Sequence, residues 1–181
     1  MTNENKSLRD WAEQGEQLPP QTWEQMPDIY LYMDQVITCL QGMLKFYDID
    51  EKNPLITNSM INNYVKNGVV DRPVKKKYSR SHLSRLYMIC LLKQVLSMQE
   101  IDRLLRDGDS DPQERFSAFT EMIAQATQQI CSRITQAEAN GNQELRELAL
   151  HLSIEAAAKQ TAAKKIIESL ESHNQEETER G

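Results

Sequence analysis

The chain has 181 residues, 39% hydrophobic and 27% charged, with 6 Gly and 6 Pro, which excludes collagen-like and Pro/Gly-rich disordered chains and suits one domain or a small domain with an appendage. Aromatics make up only 6%, and Met (8) outnumbers Trp (2) and Phe (3) together, so an all-α, mainly helical protein is expected over an all-β protein or a Gly-loop-rich α/β enzyme. A net charge of −6 argues against a nucleic-acid partner until it is resolved along the sequence: residues 66–85 hold seven bases (Lys66, Arg72, Lys75, Lys76, Lys77, Arg80, Arg85) against Asp71 alone, which leaves +6 there and −12 on the rest.

Residues 1–25 are polar, with Leu18-Pro19-Pro20 and two isolated tryptophans, Trp11 and Trp23, and read as an N-terminal arm whose tryptophans dock on the body. No apolar h-region follows Met1 and no stretch approaches the ~18 apolar residues of a membrane span, so a cytoplasmic protein with no membrane partner is expected. From Pro27-Asp28 the apolar residues Tyr30, Met33, Val36, Ile37, Leu40 and Leu44 fall at helical spacings, which predicts a long amphipathic helix ending near Phe46, followed by a polar loop over residues 48–54. Cys39, Cys90 and Cys131 lie far apart in apolar periodic stretches with no CxxC or Cys/His cluster, so buried free thiols and no metal site are expected.

Thr57 suits the cap of a helix with Met60, Ile61, Tyr64 and Val65 inside, and Gly68 follows its last turn where a left-handed residue belongs. Residues 69–78, with Pro73 and valines around a lysine run, predict two short strands and a turn. Ser79 opens another helix, with Leu83, Leu86, Ile89, Cys90 and Leu91 inward, that stops near Leu96, and Ser97-Met98-Gln99-Glu100 is a capping box for a short helix through Ile101, Leu104 and Leu105. Asp107, Asp109 and Asp111 imitate the start of a calcium loop, but Pro112 stands where its glycine belongs and Ala118 where its bidentate Glu belongs, so a solvated linker is the reading. His82, His151 and His173 have no spacing that makes a ligand set, and the methionines Met33, Met60, Met88 and Met122 read as core filling.

Beyond the linker, Phe116, Phe119, Ile123, Ala126, Ile130, Ile134 and Ala137 step by three and four until Asn140-Gly141-Asn142. A second run, Leu145, Leu148, Leu152, Ala156, Ala163, Ile167 and Leu170, completes an antiparallel helical hairpin. These stripes are too wide for a bare hairpin, so their cover comes from the protein's own core or from a second subunit; a homodimer seam of Phe116, Phe119, Ile123, Ile130, Ile134, Leu145, Leu148 and Leu152, with Ala156-Ala157-Ala158 letting backbones approach, is the preferred reading. The domain reading is therefore an arm over residues 1–25, a core over 26–106, the hairpin over 112–172 and a disordered tail over 173–181. No GxSxG, P-loop, HExxH or dinucleotide fingerprint occurs, and the pair Glu176-Glu177 lies in the tail, so no enzyme activity, cofactor or metal is expected.

The chemistry concentrates in residues 57–105, a helix, a basic turn, a helix and a short helix. With Met60, Ile61, Tyr64 and Val65 inside, the first helix turns Asn58, Ser59, Asn62, Asn63 and Lys66 outward. Asn pairs bidentately with adenine, and helix N-terminal amides hold phosphate. Alone that pattern equals a solvated polar face; the lysine triplet just after it shifts the balance to DNA. Asn58, Ser59, Asn62 and Asn63 are then candidates for base contact, and Lys66, Arg72, Lys75, Lys76, Lys77, Arg80 and Arg85 for phosphate contact.

The blocks Ile56-Thr57-Asn58-Ser59-Met60-Ile61-Asn62-Asn63-Tyr64-Val65-Lys66-Asn67-Gly68-Val69-Val70, Lys75-Lys76-Lys77-Tyr78-Ser79, Leu86-Tyr87-Met88-Ile89-Cys90-Leu91-Leu92 and Leu96-Ser97-Met98-Gln99-Glu100-Ile101 resemble the winged helix–turn–helix of MerR-type transcriptional regulators. Together with Leu31-Tyr32-Met33-Asp34-Gln35-Val36 they look more closely like an uncharacterised bacterial family, a domain of unknown function with a MerR-like core. The MerR resemblance implies a recognition helix in the major groove, a wing on phosphates and a following helix that pairs two subunits. It matches Asn62, Asn63 and Lys66 to DNA-touching helix positions, Lys76 to a wing base and Tyr64 to a core aromatic. This sequence departs from it in having Asn62-Asn63 where Arg-Tyr is frequent, an extended loop after a long first helix, and a hairpin without metal-binding cysteines. The expected protein is a cytoplasmic, homodimeric, sequence-specific regulator of transcription on double-stranded DNA, with no effector assigned. The alternative is a non-enzymatic adaptor that binds another protein through the hairpin.

Overall fold

A computed structural model describes residues 7–48, 52–106 and 111–180, with residues 171–180 as backbone only. Asp107 and Asp109 of the linker lie outside the described residues, as do the side chains of His173, Glu176 and Glu177. The helices are α1 Leu8–Glu16, α2 Met33–Leu44, α3 Asn58–Lys66, α4 Arg80–Leu92, α5 Met98–Leu105, α6 Pro112–Asn140 and α7 Asn142–Arg180, with a 3-10 turn at Trp23–Gln25. The chain divides into two compact units, Met1–Pro20 with Ala118–Lys159, and Gln21–Ser117 with Gln160–Gly181.

In the first unit the expected arm contains a helix. Ser7 and Asp10 form a reciprocal capping box, with the Asp10 N–H donating to Ser7 Oγ at 3.1 Å and the Ser7 N–H to the Asp10 carboxylate at 3.3 Å. The small residues Ala12 and Gly15 of α1 are buried, and Gln128 Nε2 of α6 donates to the Leu18 carbonyl at 2.7 Å. The segment that follows α1 is therefore tied to α6, and Glu16 at the end of α1 lies close enough to act on Cys131 of α6. The hairpin turns on Gly141, whose φ of +106° is open to glycine and strained for other residues, and Arg133 of α6 meets Glu155 of α7 at 3.4 Å. Helix α7 runs to Arg180 where a disordered tail was expected from residue 173, because no Gly or Pro interrupts the sequence before Gly181.

The second unit is built around α4, whose Leu83, Leu86, Tyr87, Met88, Ile89, Cys90 and Leu91 are all buried. Against this core lie Val36, Leu40 and Leu44 of α2, spaced by four so that one stripe faces inward, with Ile61 and Tyr64 of α3 and Ile101 and Leu105 of α5. Phe116 is fully buried here, edge-on to Tyr87 at 5.6 Å and to Trp23 at 6.2 Å. A side chain committed to this core leaves nothing for a dimer seam, so Phe116 is withdrawn from that set.

Further expectations change. Helix α2 starts at Met33, not near Pro27, because the Leu31 backbone is already paired with Tyr78 through two hydrogen bonds of 2.9 and 2.8 Å. The Tyr32 N–H is then capped by Gln35 Oε1 at 2.9 Å, and Tyr30, expected inside, is 59% exposed. The two-stranded wing is absent: among the described residues there is no strand, only isolated antiparallel bridges between Leu31 and Tyr78 and between Val74 and Lys77. Pro73 has no N–H to continue a ladder beyond Val74, so the pairing stops after one step. Of the methionines, Met88 is buried and Met122 is exposed, contrary to a core-filling role for the latter. Cys90 and Cys131 are buried free thiols, and Cys39 is half-buried.

Candidate nucleic-acid interface

Helix α3 is set by local chemistry at both ends. Thr57 Oγ1 accepts the Met60 N–H at 3.2 Å. At the other end the Gly68 N–H donates to the Val65 carbonyl at 3.2 Å and the Val69 N–H to the Tyr64 carbonyl at 3.0 Å, a Schellman stop that needs the positive φ of Gly68. With Ile61 and Tyr64 buried, Asn58, Ser59, Asn62, Asn63 and Lys66 all face solvent, as the sequence predicts. Burial raises the Tyr64 phenol to about 12, with the neighbouring Cys90 adding to it, so it stays neutral in the core. Asn63 is partly engaged, its Oδ1 accepting from Asn67 Nδ2 at 2.8 Å, which leaves Asn62 the better placed amide.

The lysine run forms a two-residue turn. The Lys77 N–H donates to the Val74 carbonyl at 3.0 Å, and Lys75 and Lys76 have φ of 50° and 64°, the type I′ geometry that normally selects Asn-Gly. Lys75 and Lys76 are exposed at its tip, and Lys77 places its ammonium 4.9 Å from the centre of the Tyr32 ring. Arg72 is exposed as well.

Arg80 and Arg85 are turned to structural tasks. Arg80 pairs with Asp28 at 3.6 Å and lies over the Trp23 ring at 5.7 Å, with its side chain 18% exposed. Arg85 donates to the Val69 carbonyl at 3.0 Å and to the Leu105 carbonyl, and faces Asp102 at 3.8 Å. Arg115 donates to that same Leu105 carbonyl at 3.1 Å, so two guanidiniums cap the C-terminus of α5. Burial pulls the Arg85 guanidinium below its ordinary value, and Arg115 adds to this. Both arginines, expected among the phosphate contacts, are engaged within the protein, Arg80 by an ion pair and a ring and Arg85 by carbonyls and an ion pair. The outward set is Lys66, Arg72, Lys75, Lys76 and Lys77.

His82 caps α4, its Nδ1 accepting the Ser79 N–H at 3.1 Å. His151 stands on the hairpin beside Glu155 at 2.9 Å. No group of three or more His, Cys, Asp or Glu suited to a metal ion occurs among the described residues. Sequence reasoning missed the strip beside the turn, where Ile29, Tyr30 and Tyr32 are exposed while Leu31 is buried. The signal was a run of four apolar residues leading into α2, but a helical reading of Tyr30 absorbed it.

A family described as a domain of unknown function, DUF1836, matches residues 21–123. The chain belongs to DUF1836. No curated protein and no solved structure matches it. The DUF1836 region contains α2 to α5, the lysine turn and the strip beside it. Among the described residues of this DUF1836 protein no helix is long and apolar enough to cross a membrane.

Proposed function

We propose that this DUF1836 protein is a cytoplasmic, sequence-specific regulator of transcription with a MerR-like helix–turn–helix, which lays α3 in the major groove of duplex DNA and sets the lysine turn on the flanking phosphates. The observation that carries the reading is the turn: Lys75 and Lys76 stand at the exposed tip of a backbone conformation that disfavours side chains. A strained turn keeps lysines when their charge is used. Ammonium groups there neutralise phosphates without reading sequence, while Asn62, with Asn58 and Ser59 at the helix start and Asn63 beside it, reads base edges. A single small module covers one half-site, so two copies act on a two-fold operator.

The test is a salt titration of binding to a random duplex and to a selected site. The wild-type protein is expected to show a log–log slope of several units and two chains per palindromic duplex at saturation. The triple variant Lys75→Ala, Lys76→Ala, Lys77→Ala is expected to weaken both duplexes alike and to flatten the slope by about one unit per lost contact. A loss confined to one sequence would overturn the phosphate role.

A second reading, an adaptor that binds a protein through the hairpin, draws support from the exposed apolar side chains Met122, Leu150 and Ile154 of the first unit. Absence of duplex binding at low salt favours it.

A further inference from the structure

We infer that the strip at residues 29–32 is a second contact for the same DNA, with Tyr30 lying against the sugar–phosphate edge and Tyr32 holding Lys77 toward it. This rests on the DNA-binding reading and adds residues that no motif assigns.

The strip is fixed to the turn by the reciprocal Leu31–Tyr78 hydrogen bonds. Their antiparallel register sets Tyr32 opposite Lys77, where the ammonium indeed stands over the ring. Around the Leu31 bridge alternate side chains go to opposite faces, so Leu31 is 5% exposed while Tyr30 and Tyr32 are 59% and 52% exposed; Ile29, in the bend before it, is exposed as well. Both rings thus share one face, roughly 7 Å apart along the edge.

Charge complementarity chooses the partner. The turn brings Lys75, Lys76 and Lys77 to this edge; of the two acids that flank the strip in sequence, Asp28 is paired with Arg80 and Asp34 stands in the first turn of α2, so the three lysines outnumber them. A polyanion fits such a face. A phenol adds what lysine lacks, an O–H donor to a phosphate oxygen and a flat apolar ring for a sugar, at low entropic cost. Tyr32 acts differently, because its ring face is occupied by Lys77. It is a positioning residue, and its removal frees a flexible cation.

Lysines release counterions on binding and phenols do not, so the two kinds of contact separate in a salt titration. Full-length wild-type protein, Tyr30→Ala, Tyr30→Phe, Tyr32→Ala and the triple lysine variant are titrated with a fluorescent random duplex, with circular dichroism reporting the fold. Tyr30→Ala is expected to bind about tenfold more weakly with the wild-type slope, and Tyr30→Phe to lose only part of that. Tyr32→Ala is expected to lose affinity and to lower the slope by less than one unit.

Wild-type affinity in both alanine variants, alongside a weakened lysine variant, overturns the inference and leaves the DNA reading intact. No duplex binding by the wild-type protein at low salt removes both. Vesicles containing phosphatidylserine provide the remaining arm: binding that Tyr30→Ala abolishes, with duplex binding untouched, assigns the strip to a membrane surface and overturns the inference.

Discussion

Lys75 and Lys76 occupy left-handed backbone where a β-carbon crowds the following carbonyl, a cost of about 1 kcal/mol or more for each. Replacing them with the residues the turn prefers, Lys75→Asn and Lys76→Gly together, is expected to stabilise the fold by about 1–2 kcal/mol, read as a raised thermal midpoint. Duplex affinity is expected to fall in the same variant. A stabilised protein with unchanged affinity would show that the lysines are not held out for use. Arg85 makes the opposite point. Its charge and position looked identical to the others in sequence, yet it ends on two carbonyls and Asp102, because its place on the inward side of α4 depends on partners in distant segments. Charge is visible in a sequence, and whether it is already satisfied is not.

The stop of α3 is encoded locally. Gly68 has a φ of +74°, and a β-carbon built there meets nothing within 4 Å, so Gly68→Ala is expected to cost only the backbone strain, about 1 kcal/mol, measured by denaturant unfolding. A loss above about 3 kcal/mol would mean that the turn packs in a way this geometry lacks. The same local grammar made Thr57, the Ser97–Glu100 box, Pro112 and Gly141 readable, because each cap is written within a few residues. What could not be read depends on distant partners. The start of α2 is decided by Leu31 meeting Tyr78, and α1, at nine residues, is too short to hold without the packing of Ala12 and Gly15. The expected wing failed for a related reason: its two arms share a single bridge, Val74 to Lys77, and the second arm goes on to pair through Tyr78 with Leu31, outside the turn.

Taken as one molecule, the protein carries −6 and yet presents an outward basic edge in its second unit, which net charge alone conceals. The stripes of α6 and α7 were readable, but what packs on α6 was not, since the Leu18 carbonyl that Gln128 engages lies more than a hundred residues earlier in sequence. Phe119, Ile123, Ile134, Leu145, Leu148 and Leu152 are half-buried and Ile130 is 38% exposed, whereas Met122, Leu150 and Ile154 are fully outward. Any pairing of copies through the first unit therefore engages these last three more than the seam read from periodicity.

Each unit also holds one buried sulfhydryl, Cys131 in the first and Cys90 in the second. Burial pushes the Cys90 thiol up to about 12, and raises Cys131 with Glu16 adding to it, so neither forms the nucleophilic thiolate while its surroundings stay closed. The chain thus contains two internal clocks, one for the opening of each unit, and half-buried Cys39 as a faster reference. Pulsed alkylation read by mass spectrometry is expected to mark Cys39 first, and Cys90 and Cys131 at rates that denaturant accelerates. Modification of Cys90 as fast as Cys39 in buffer would show that the α4 core breathes far more than its packing implies.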